Sequence, residues 1–87
     1  GYVRDHIVPR VVGFEFDIPP EIIRHPCNLQ FISHSQNISK GFADKKLTRE
    51  EKIDIIRALF EKIQAFQGNW EEHQRCLILL DKRKEVV

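Results

Sequence analysis

Asp5-His6-Ile7-Val8-Pro9 sets an acid and a histidine side by side in a β-branched run that a proline closes. The wider stretch 2–8, YVRDHIV, is rich in strand formers, and Pro9 has no N–H to give to a sheet ladder. A strand limited by Pro9 is therefore predicted. Adjacent strand residues point to opposite faces. Asp5 and His6 can thus serve one site only from two sides of a bend or around an ion. Taken alone the pair is weak, because an ordinary strand end carrying one polar residue on each face looks the same.

Outward from Pro9 the chain runs through residues 10–27, punctuated by Gly13, Pro19, Pro20 and Pro26. This predicts a long excursion, with a short strand at Gly13 to Phe16 and a single helical turn after Pro20. So long a loop in a small domain is usually functional or held by something. Asn28 to Ile32, NLQFI, is a second strand candidate. Ser33 as N-cap and Gly41 as stop predict a short helix around His34 to Lys40.

The remainder reads as helical. Thr48 with Glu51 has the capping-box spacing, and Ile53, Ile56, Leu59, Phe60 and Ile63 recur at helical intervals. Gly68 breaks that helix. Asn69 with Glu72 repeats the cap pattern before a second helix, whose inner face is predicted to be Trp70, Cys76, Leu77 and Leu80. The fold class is therefore α+β. A β-β-α half with a long loop between its strands spans residues 1–46, and a helical hairpin over 47–87 packs on it within one domain, with packing against the two strands as the expected role.

Composition bounds the function. A chain of 87 residues makes one small domain, for which a metal, a partner or a larger parent polypeptide is an expected stabiliser. Hydrophobic residues at 41% and charged residues at 31% exclude disorder. A net charge of +1 shows no global basic excess. Locally, Lys40, Lys45 and Lys46 face only Asp44 in their segment, and Arg4 and Arg10 flank the opening motif. Cys27 and Cys76 form no CxxC pair, which excludes a zinc-knuckle framework, and read as reduced thiols of an intracellular, cytoplasmic protein. No apolar run approaches a membrane span, and no signal peptide is visible. The absence of any methionine, the initiator included, reads as a processed or excised piece.

Three spaced elements, DHIVP, then NLQF, then NISKG, resemble the HNH nuclease motif of the His-Me finger, or ββα-metal, superfamily. The likeness covers residues 4–41, about the first half of the chain. It implies a metal-dependent DNA endonuclease or nickase of the phage, restriction or homing kind, or the HNH module of a larger enzyme. In that reading His6 is the general base that takes a proton from water, a task suited to an imidazole with an ordinary pKa of about 6.5. Asp5 and Asn37 hold a divalent metal through a carboxylate and an amide oxygen. Asn28 ties the excursion in place through backbone hydrogen bonds. Oxygen donors of this kind suit Mg²⁺ or Mn²⁺ better than zinc. The resemblance further implies in-line attack on phosphorus, with the metal stabilising the departing 3′ oxygen.

His34, three residues before Asn37, is an additional candidate for the metal or a phosphate, although an exposed polar helix residue is the commoner outcome at such a position. Lys40, Arg4, Arg10, Lys45 and Lys46 are the candidate phosphate contacts, with Lys40 foremost because the Lys-Gly step belongs to the family pattern. His25, His73 and Trp70 read simply as core or surface residues, and Cys27 as a small buried residue rather than a nucleophile. The CxxC zinc pairs frequent in the family are absent. DNA is the expected partner, with no membrane and with a homodimer or a parent polypeptide as further candidates. The alternative functions are a non-catalytic binding or assembly domain acting through the hairpin, and an unselective toxin-type nuclease.

Overall fold

The first strand ends at His6, and Pro9 caps a helix instead of opening a loop. The computed structural model describes residues 1–83; residues 84–87 of the expected hairpin lie outside the described residues. Strand β1 (Tyr2–His6) is followed by α1 (Arg10–Glu15), α2 (Pro20–Ile23) and a 3-10 turn at Pro26–Asn28. Strand β2 (Leu29–Ser33), α3 (His34–Asp44), α4 (Arg49–Ala65) and α5 (Glu71–Lys82) complete the chain. The two strands pair antiparallel, with Asp5 opposite Gln30 and His6 opposite Leu29. This is a small α+β fold, as expected.

The excursion is more ordered than expected. Gly13 to Phe16 lies not in a strand but in α1 and its C-terminal cap. Strand alternation would put Phe14 and Phe16 on one face, whereas Phe16 is buried and Phe14 is 79% exposed. Val12 and Phe16, four apart, both turn inward, the helical interval. Gly13 has a specific task. A Cβ there would stand 2.8 Å from Cγ1 of Ile23, so only glycine lets α1 seat directly on α2. The turn after α1 uses Asp17 at φ 56°, a left-handed conformation that aspartate tolerates better than most residues.

Two further expectations at helix ends are corrected. Helix α3 runs through Gly41 to Asp44. Gly41 keeps a negative φ, and the Lys40–Asp44 ion pair spans it on one face. Ser33 does cap α3, sharing a reciprocal capping box with Gln36. Thr48 and Glu51 do the same for α4, and those bonds hold the Glu51 carboxyl below its usual pKa. Asn69, by contrast, does not cap α5. Trp70 occupies the N-cap without a side-chain bond, and Glu72 is drawn instead to Arg24 at 2.7 Å.

The core joins the excursion to the hairpin. Val8, Val12, Phe16, Ile18, Ile22 and Ile23 meet Ile56, Leu59 and Ile63 of α4 and Cys76 and Leu80 of α5. Each such aliphatic side chain contributes about 1.5–3 kcal/mol by leaving water. The hairpin therefore rests on the helices of the excursion rather than chiefly on the strands. On α5, His73 is buried where Trp70 was expected, and Trp70 stays 38% exposed. Both cysteines are free thiols, raised in pKa chiefly by burial. Among the described residues no helix is long and apolar enough to cross a membrane.

Candidate functional site

Asn28 organises the end of β1. It is fully buried, and its amide has both ends tied to main chain. Oδ1 accepts from Val8 N–H at 2.7 Å, while Nδ2 donates to the carbonyls of Val8 at 3.1 Å and Ile23 at 2.6 Å. The Asn28 carbonyl accepts from Ile7 N–H at 2.8 Å. One side chain thus pins the residues just after His6 to the far end of the excursion. A buried polar group is stable only when its bonds are made, and here they join the bend after His6 to the end of α2.

A second clamp involves two histidines. Nδ1 of His25 accepts from Cys27 N–H at 3.0 Å. The proton of the neutral ring is therefore on Nε2, which donates to Nδ1 of His73 at 2.9 Å. Phe66 and Trp70 enclose both rings, with centroids 5.0–5.7 Å apart. Burial pushes the His25 pKa down, His73 adds to the effect, and Glu72 opposes it. Sequence reasoning gave these histidines no site role, and the structure makes them a tie between the excursion and α5.

Asp5 and His6 diverge as consecutive strand residues must. Asp5 turns toward α3, where its Oδ2 accepts from Gln30 Nε2 at 2.9 Å and lies 3.3 Å from Lys40 Nζ. The same ammonium donates to Asp44 Oδ2 at 2.6 Å and to the His6 carbonyl at 3.0 Å. Lys40 therefore sits among three oxygens on the β1–α3 seam, its charge turned inward. Asn37 lies one turn before Lys40 on the half-buried stripe Asn37, Lys40, Asp44, and its amide has no hydrogen-bond partner among the described residues. His34 is exposed at the first position of α3.

The imidazole of His6 opens on the other side of the strand end. It lines a cavity of about 330 Å³ together with Arg10, Phe14, Ile18, Pro20, Ile23 and Arg24. No hydrogen bond engages the ring among the described residues, which leaves a nitrogen available to take a proton. Of the candidate cations, only Arg10 reaches this cavity. Arg4 is exposed opposite Phe31 on the sheet. Lys45 and Lys46 follow α3, about 12 Å along the helix from Asn37 at 1.5 Å per residue.

Three participants escaped the sequence reading. Gln30 is brought to Asp5 only by strand register, which no local pattern encodes. Asp44 holds Lys40, and its i,i+4 spacing was a usable signal. Arg24 enters the cavity because α2 folds back on α1. Among the described residues, no three histidine, cysteine, aspartate or glutamate side chains come together as a metal-binding group. The oxygen set on the seam is of a different kind. Asp5 Oδ1 and the Asn37 amide are hard oxygen donors without partners among the described residues, and the cation that meets the Asp5 carboxylate here is the Lys40 ammonium, 3.3 Å from Oδ2.

No family model matches the chain. No curated protein and no solved structure matches it either.

Proposed function

We propose that this chain is a metal-dependent phosphodiester hydrolase of the HNH kind, acting on DNA. The observation that carries this reading is the bend at the end of β1. An unengaged imidazole stands on one side of the strand end, next to main chain that a fully buried asparagine fixes, and on the other side stands a carboxylate bonded by Gln30 and paired with Lys40.

In the proposed reaction His6 accepts a proton from the water that attacks phosphorus. Asn28 fixes the backbone from Ile7 to Val8 and so aims the imidazole, acting as a positioning residue. Asp5 and Asn37 would hold Mg²⁺ or Mn²⁺, with His34 as a further donor at the start of α3. When bound, such an ion stabilises the negative charge that develops at the phosphoryl and leaving oxygens. Gln30 orients the Asp5 carboxylate. Lys40 supplies positive charge to the seam and anchors the His6 carbonyl, so its role is internal before it is phosphate binding. Arg10 is the cation best placed to meet a substrate phosphate near His6, while Arg4, Lys45 and Lys46 would serve more distant phosphates.

The test is conversion of supercoiled plasmid in Mg²⁺ or Mn²⁺, comparing wild type with His6→Ala. Nicking by wild type that falls about 100- to 10,000-fold in the variant is the expected result. A wild type that leaves the plasmid supercoiled at every metal concentration removes the hydrolase reading and leaves a non-catalytic binding domain.

A further inference from the structure

The cavity beside His6 has features that proton abstraction does not need. Its walls are apolar, formed by Ile18, Pro20 and Ile23, and they are fixed, because α1 and α2 touch through Gly13 with no room for a Cβ. At about 330 Å³ it falls at the lower end of the range of small-ligand sites. Phe14 lines the cavity with its ring 79% exposed, stacked on no other ring among the described residues. Arg10 and Arg24, each carrying a guanidinium group, are among the lining residues. Glu72 binds Arg24 through Nε at 2.7 Å, which aims the group and engages one of its five donors.

A ligand matching these features has a planar face for Phe14, an apolar body for the pocket and negative charge on its flanks for the two arginines. An unpaired nucleotide within a polynucleotide strand meets all three requirements. A base inside a duplex does not, because its faces are stacked and its edges paired. We infer that the cavity is a nucleotide subsite for single-stranded or locally opened nucleic acid. One unpaired base stacks on Phe14, and its flanking phosphates meet Arg10 and Arg24. The adjoining phosphodiester is thereby brought to His6. This deepens the hydrolase reading by naming the substrate's form, and it rests on that reading only for the chemistry at His6.

The experiment is fluorescence anisotropy with the full chain in EDTA at fixed salt. The probes are a labelled oligonucleotide of about ten nucleotides, the same sequence as a duplex, and inorganic phosphate as competitor. Single strands are expected to bind more tightly than duplex, with phosphate a poor competitor. Phe14→Ala is expected to weaken single-strand binding roughly 5- to 100-fold, the scale of one lost base–aromatic stack, and to leave duplex binding within about 2-fold. Because Phe14 is exposed, the variant should keep the wild-type melting midpoint, measured alongside. Arg10→Gln should weaken both probes and reduce the salt slope by about one.

Equal affinity for the two forms, no single-strand binding, or an unchanged Phe14→Ala affinity each overturns the subsite, even if plasmid is nicked. Competition by phosphate as strong as by unlabelled strand also overturns it, since a bare anion site would then suffice. A wild type that binds single strands through Phe14 yet never cuts overturns the hydrolase reading and leaves the subsite standing.

Discussion

Helix α3 and helix α4 are both amphipathic helices of the same small domain, yet they are held by opposite means. Helix α4 buries Ile56, Leu59 and Ile63 against the excursion and α5. Helix α3 has no buried residue at all, and Ile38 and Phe42 on it are 49% and 63% exposed. What fastens α3 to β1 is the ammonium of Lys40 among Asp5, Asp44 and the His6 carbonyl. Hydrophobic contact is non-directional and tolerant. A charge network specifies positions to within a bond length but contributes little net energy, because desolvation offsets attraction. The apolar seam therefore supplies stability, and the polar seam supplies geometry where the proposed chemistry needs it.

Substitutions can separate these two roles. The largest effect on rate is expected at His6, as stated above, with little change in melting because the ring bonds to nothing among the described residues. The largest effect on stability is expected from Asn28→Ala. It strands one buried N–H and two carbonyls, costing about 3 kcal/mol or more in denaturant titration at about 1–3 kcal/mol per orphaned group. Survival of the fold with less than about 1 kcal/mol lost would refute the central place given to that side chain.

Ile56→Ala should cost about 2–5 kcal/mol while leaving the rate of the remaining folded protein unchanged. A proportionate fall in rate would erase the division between the two seams. Lys40→Met should show the reverse pattern. A loss of about 1–3 kcal/mol is expected from breaking a partly buried network, with plasmid nicking reduced more than the folded fraction. If only stability changes, the polar seam is ordinary scaffolding.

The smallest expected effect is on acid stability. His25 is held below its ordinary pKa of 6.5 by burial and by His73, so the native state binds fewer protons than the unfolded chain. Its contribution is complete above the ordinary value and is lost as pH falls from about 6.5 toward the native value. Melting midpoints measured from pH 7.5 to 5 should decline, and more gently in His25→Leu. Parallel curves for the two proteins would show that the histidine tie does not titrate.

Much of this was legible in the chain. Strand formers before Pro9, the Ser33 and Thr48 caps and the periodic isoleucines of α4 act over a few residues, and local chemistry sufficed to place them. Three of the readings that failed, at Gly13 to Phe16, Gly41 and Asn69, share one cause. In each, a local preference yielded to a contact formed across the fold: α1 on α2, Lys40 on the β1 seam, Glu72 on Arg24.

The sequence by itself determined an α+β class, the order of its principal elements and the presence of an acid, a base and two asparagines at suggestive spacing. Only the tertiary structure decided that Asn28 is fully buried with its amide bonded to Val8 and Ile23, that Lys40 turns inward, and that His6 lines a cavity shared with Phe14 and two arginines. The physical reason is range. Helix and strand preferences come from neighbours within about four positions, whereas burial, register and the meeting of distant charges depend on which surfaces the folded chain brings together.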